Sequence, residues 1–108
     1  DFPEKFRVDV NRIEGCQSQV WMVSRMENGR LQIEATSDSA IVRGLISLLL
    51  QVYSDREPRE ILETPPIFIE EINLSEHLSP TRSNGLASMV SKIMEIASTE
   101  LGRLNNNP

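Results

Sequence analysis

The order of hydrophobic patterns along this 108-residue chain predicts an α+β fold. It reads as a small antiparallel sheet of about three strands, followed by several helices packed on one face. Three observations lead there. Asn28-Gly29 separates two strand-like runs, and Asn-Gly accepts the positive φ of a tight hairpin turn. In residues 41–54 the polar positions Arg43, Ser47, Gln51 and Ser54 recur every three or four residues and the rest is almost wholly apolar, which reads as the central core helix. Further on, Leu86, Met89, Val90, Ile93, Met94, Ala97, Leu101 and Leu104 recur at the spacing of one helix face.

The elements follow in order. Phe2, Phe6, Val8 and Val10 alternate with polar residues, which predicts extended chain or a short strand running on through residues 11–14 to a break at Gly15. Residues 19–26 are rich in Val, Trp and Met and read as a strand, with Trp21 in the sheet core. On the return strand Leu31, Ile33 and Ala35 form a dry face, while Arg30, Gln32, Glu34 and Thr36 form a wet one. Ser37, Asp38 and Ser39 all offer an N-cap to the core helix, Asp38 most simply. Gly44 costs that helix about 1 kcal/mol relative to alanine, so a close contact is expected there. Residues 57–62 read as a short helix with Pro58 in its first turn. Thr64-Pro65-Pro66 ends it, residues 67–72 form another, and Ser79 or Thr81 caps the last helix. Residues 105–108 are expected to fray.

A chain of this length is predicted to form one domain, residues 1–108, that buries a core without metal or disulfide staples. A net charge of -5 and scattered arginines exclude nucleic acid as the main partner, because phosphate binding needs a basic face. The apolar run at residues 45–50 is too short to span a bilayer and is interrupted by Ser47. One cysteine fits a reducing compartment. That compartment is read as the cytoplasm, or as a plastid or mitochondrion after removal of a transit peptide. No GxSxG, phosphate-cradling glycine loop, HExxH or CxxC is present. Glu57, Glu60, Glu63, Glu70, Glu71 and Glu76 read as a solvated acidic face with no metal-ligand spacing.

Cys16 is the only cysteine, set in the polar segment Gly15-Cys16-Gln17-Ser18-Gln19 that leads into the strand. Without an internal partner it forms no intramolecular disulfide. It is either a small buried filler or a working thiol: a nucleophile, a redox centre, or a group loaded by another protein. Gly15 would allow a sharp turn that aims the thiol. Gln17, Ser18 and Gln19 could bond a sulfur species or only their own backbone. Arg82 has no carboxylate four residues away on its own segment; from the residues alone it reads as a solvated arginine near a helix start, ahead of a role in favouring the thiolate or touching a partner. His77 is the only histidine; pairing it with Cys16 as a protease has no evident substrate cleft to support it.

Three separated elements carry a family resemblance. Residues 15–21, GCQSQVW, resemble the active loop of the SufE-type sulfur-acceptor family. Residues 38–45, DSAIVRGL, are similar to its DSDAAIVKGL helix start, and residues 77–86, HLSPTRSNGL, to its HLTPSRSNGL element. The resemblance implies the α+β arrangement with Cys16 on a loop at one end of the sheet. It implies that Cys16 takes sulfur as a persulfide from a pyridoxal-phosphate cysteine desulfurase, stimulates that enzyme, and delivers sulfur to an iron-sulfur cluster scaffold complex. Gly15, Gln17, Ser18, Gln19, Asp38, His77 and Arg82 are then loop supports or partner contacts, with no bound cofactor and no metal. Against the family, the chain is expected to lack an N-terminal helical segment. Two rivals are kept: a desulfurase-binding domain that carries no sulfur, and a thiol redox sensor.

Overall fold

In the computed structural model, residues 2–76 and 78–106 are described, residues 73–76 by their backbone alone. Strands β1 (Val20–Glu27) and β2 (Arg30–Ser37) pair antiparallel, with Val20 opposite Ser37 and Glu27 opposite Arg30. Asn28 and Gly29 join them at φ 55° and 79°. Two successive positive φ values are what a turn matched to the strand twist requires.

The expected third strand is the main difference. Among the described residues the sheet has two strands, and the segment before Gly15 forms two 3-10 turns, Glu4–Phe6 and Asp9–Asn11. Only a bridge between Arg12 and Trp21 remains of that strand, with the Ile13 N–H donating to the Val20 carbonyl at 2.8 Å. Local bonds compete with sheet pairing here: the Asn11 side chain donates to the Phe6 carbonyl at 2.9 Å and folds the segment on itself.

These turns also change the second face of the sheet. Val20, Met22, Leu31 and Ile33 face the core, whereas Trp21 alternates to the other side and lies opposite Thr36. The Arg7 guanidinium stands 5.4 Å from the Trp21 ring centroid. Trp21 is therefore buried outside the main core cluster, and Thr36, expected to be wet, is only 7% exposed.

Helix α1 (Ala40–Tyr53) begins at Ser39, whose Oγ accepts the Val42 N–H at 3.3 Å; Asp38 is not the cap. Val42, Leu45, Ile46, Leu49 and Tyr53 turn inward against β2 and the last helix. The far side faces solvent, leaving Ile41 55% and Leu48 38% exposed. No contact occupies Gly44, beside which a β-carbon would meet nothing within 4 Å. The residues after α1 run back along the outer edge of β2. There the Leu31 N–H donates to the Arg56 carbonyl at 2.7 Å, and the Asp55 N–H to the Leu31 carbonyl at 2.8 Å.

Three helices complete the chain: α2 (Pro58–Leu62), α3 (Phe68–Glu76) and α4 (Pro80–Asn106). In α2, Glu60 accepts the Glu57 N–H at 2.9 Å and Pro58 sits where no donor is needed. Ser79 caps α4, its Oγ accepting the Arg82 N–H at 3.3 Å. The inner face of α4 carries Gly85, Leu86, Met89, Val90, Ile93 and Ala97. That face ends before the helix does: Leu104 is 49% exposed, and α4 continues to Asn106, into the stretch expected to fray.

Candidate functional site

The loop bearing Cys16 is closed at its neck by the base of the hairpin. Beside the Ile13–Val20 bond, the Asp38 carboxylate accepts the Gln19 N–H at 3.1 Å, and the Asp38 N–H returns to the Gln19 carbonyl at 3.3 Å. The Ser37 hydroxyl donates to that same carbonyl at 2.6 Å. Arg43 reaches back from α1 to the Ser37 carbonyl at 2.9 Å. Asp38, freed from capping, thus fixes where the loop meets β1.

Within the loop, Gly15 sits at φ 89°, in the region that favours glycine. A β-carbon there would come 2.5 Å from the Ser88 Oγ of α4. Both the backbone angle and the contact require glycine, and together they set the loop down against α4. The Cys16 thiol then points inward, its S–H donating to the Gly85 carbonyl at 3.6 Å. A β-carbon on Gly85 would lie 3.6 Å from the Cys16 Sγ, which is ordinary packing distance.

A cavity of about 70 Å³ opens at the thiol. Val20, Val42, Leu45, Leu86 and Met89 supply its apolar wall, and Gln17, Ser18, Thr81 and Arg82 its polar one. Burial pushes the Cys16 thiol above its ordinary pKa. Arg82 is exposed on the polar wall of this cavity. In this position Cys16 is a half-buried thiol whose ionisation burial disfavours.

Of the residues singled out in the sequence, Gly15, Cys16, Gln17, Ser18, Gln19, Asp38 and Arg82 gather at this end of the molecule. Gln17 and Gln19 are exposed and Ser18 half-buried. His77 lies outside the described residues. Glu57, Glu60, Glu63, Glu70 and Glu71 are exposed, as a solvated acidic face requires. Sequence reasoning missed the floor of the site, Val42 and Leu45 from α1 with Gly85 and Met89 from α4, and Ser88 against Gly15. The one signal for it was a glycine inside the apolar stripe of a helix. Among the described residues, no group of three or more His, Cys, Asp or Glu is placed to hold a metal, and no helix is long and apolar enough to cross a membrane.

Residues 1–97 match the SufE Fe-S metabolism associated domain. A SufE-like protein of Rhizobium meliloti is 39% identical over 106 residues, covering 94% of this chain and 76% of that protein. Another, from Synechocystis, is 38% identical over 82 residues, covering 76% of this chain; the match spans only 52% of that relative's length. The solution structure of a hypothetical protein from Thermus thermophilus superposes with a TM-score of 0.73 at 23% identity. It covers 88% of this chain and 71% of its own, and shows the same fold.

Proposed function

We propose, from the premise that this chain belongs to the SufE family and so has a role in iron-sulfur metabolism, that it is a sulfur acceptor whose working atom is the Cys16 Sγ. The donor is a pyridoxal-phosphate cysteine desulfurase carrying a persulfide, and the recipient is an iron-sulfur cluster scaffold complex in a reducing compartment. The observation that carries the reading is the lone, half-buried thiol at a small cavity with one apolar and one polar wall.

The chemistry is an exchange that needs no outside oxidant. The Cys16 thiolate attacks the terminal sulfur of the donor persulfide, forming one S–S bond. The donor's own S–S bond breaks, its electron pair leaves on the donor cysteine, and the terminal sulfur stays on Cys16 as a persulfide. Clearing the donor cysteine in this way stimulates the desulfurase. A second cysteine would discharge the product as a disulfide, and the chain has only one. Because the resting thiol points inward and is hard to ionise, the loop swings out about Gly15 on docking, which brings Cys16 to water and to the rim where Arg82 stands. Withdrawn again, the persulfide is sheltered from reductants.

Intact mass after incubation with cysteine and a desulfurase tests the reading. Wild-type protein gains sulfur that a reductant removes, and Cys16→Ser gains none while keeping its fold. A Cys16→Ser protein that still carries and relays sulfur overturns the assignment. Binding without any mass gain points instead to an interaction domain, and oxidation by peroxide in place of sulfur loading to a redox sensor.

A further inference from the structure

Gly85 is a puzzle when only the free thiol is considered. It lies inside α4, where glycine is less favourable than alanine. It is buried, yet an alanine β-carbon would sit 3.6 Å from the Cys16 Sγ and 3.8 Å from its Cα and Cβ, with nothing closer. The backbone is an ordinary helix, and any residue supplies the carbonyl that receives the thiol. Nothing about unloaded Cys16 therefore requires a missing side chain at this position. Gly15 differs, since φ and the 2.5 Å approach to Ser88 both exclude a β-carbon there.

A loaded cysteine is a different object. Its terminal sulfur lies about 2 Å beyond Sγ. The cavity of about 70 Å³ next to both residues has room for it, because one water-sized body needs about 15 Å³ of such space. Sγ already leans on the Gly85 carbonyl, so the added atom lies within reach of the hollow where a side chain at 85 would be. We propose that Gly85 is a positioning residue that keeps this hollow empty for the terminal sulfur of loaded Cys16, and that its missing side chain serves the persulfide and not the free thiol. The inference rests on the sulfur-acceptor reading and deepens it.

The test compares wild type with Gly85→Ala and Gly102→Ala. Gly102 lies in the same helix with nothing within 4 Å of a β-carbon, so it controls for helix propensity. Each protein is loaded with inorganic tetrasulfide: the Cys16 thiolate attacks its terminal sulfur, and trisulfide leaves as the new S–S bond forms. Intact mass then follows decay of the one-sulfur adduct in fixed dithiothreitol. In parallel, iodoacetamide measures the reactivity of unloaded Cys16. We expect the Gly85→Ala adduct to decay about fivefold faster, the scale of a few lost close contacts. Unloaded Gly85→Ala should alkylate at the wild-type rate, and Gly102→Ala should match wild type in both assays. Equal decay in Gly85→Ala and wild type overturns the proposal, as does a matching acceleration of the unloaded thiol. Wild-type protein that takes up no sulfur at all removes the sulfur-acceptor premise, and the proposal with it; equal decay leaves that premise standing.

Discussion

At the turn end of the hairpin, β2 is tied down by the chain returning from α1, whereas at the open end the Cys16 loop rests on α4 through a glycine contact and a thiol. The turn end holds its partner with many polar groups. The Ser54 hydroxyl takes the Ile33 N–H at 3.0 Å and donates to the Ile33 carbonyl at 3.3 Å, acting as one rung of a missing strand. Gln32 donates to the Asp55 carboxylate at 2.8 Å, and Arg30 to the Asp55 carbonyl at 2.9 Å. Asp55 itself takes a left-handed φ of 60° to make this corner. The open end has firm bonds at its neck, but Cys16 itself is held by an S–H contact of 3.6 Å. One sheet therefore has a stapled end that anchors the fold and a lightly seated end at Cys16.

The sharpest way to break this contrast is to spoil the seat. Gly15→Ala places a β-carbon on Ser88 and forces a non-glycine residue to φ 89°, at a cost of about 2 kcal/mol in the seated state. Cys16 should then react with iodoacetamide up to about thirtyfold faster, and adding Ser88→Ala should recover only the steric part. Unchanged thiol reactivity would mean that the loop is not seated through Gly15. The complementary change is Ser54→Ala, which strips both partners from Ile33. It should lower stability by about 1–2 kcal/mol in urea unfolding while leaving the thiol's reactivity alone. Faster alkylation in that variant would show that the two ends are coupled.

A pH series separates the ends more gently. Burial raises the Cys16 pKa, so the folded thiol resists ionisation that the unfolded chain allows. Its contribution to stability is intact below the ordinary thiol range near about 8.5 and is lost as pH climbs towards the raised value. Asp55 runs the other way, its carboxyl held below the ordinary range first by the Gln32 hydrogen bond and then by Arg30. Its contribution is present above an ordinary pKa of about 3.9 and fades as pH falls through the lower folded value. Because Asp55 is exposed, water screens that effect, making it the smallest of those expected. Urea midpoints for Cys16→Ser and Asp55→Asn, taken across pH, check both: the first should flatten only the alkaline limb, the second only the acid limb.

The sequence was most legible where structure depends on neighbours. Asn28-Gly29 sets its turn with two adjacent residues, and the alternation of Leu31 and Ile33 carries into burial unchanged. It was least legible where several local solutions compete. Ser37, Asp38 and Ser39 are all good caps, and what frees Asp38 for Gln19 is the strand register, which lies 19 residues away in the chain. The alternating apolar residues before Gly15 suit a strand, but an Asn11 side-chain bond closes them into turns. For the site, the motif located Cys16 and Asp38 through resemblance, while the cavity floor needed tertiary adjacency: Cys16 and Gly85 meet across 69 positions. Arg82's relation to the thiol was likewise a matter of helix placement, and the structure sets it on the exposed wall of the cavity.

Trp21, on the face of β1 turned away from the core, adds an optical dimension. It is the only tryptophan, 8% exposed, with a guanidinium over its ring. It also follows Val20, whose carbonyl closes the loop neck. An indole so placed emits according to how dry its ring is and how near the cation stays. The protein thus carries an intrinsic fluorophore one residue from the neck of the Cys16 loop, where a change in how that loop sits can be followed without labelling the thiol.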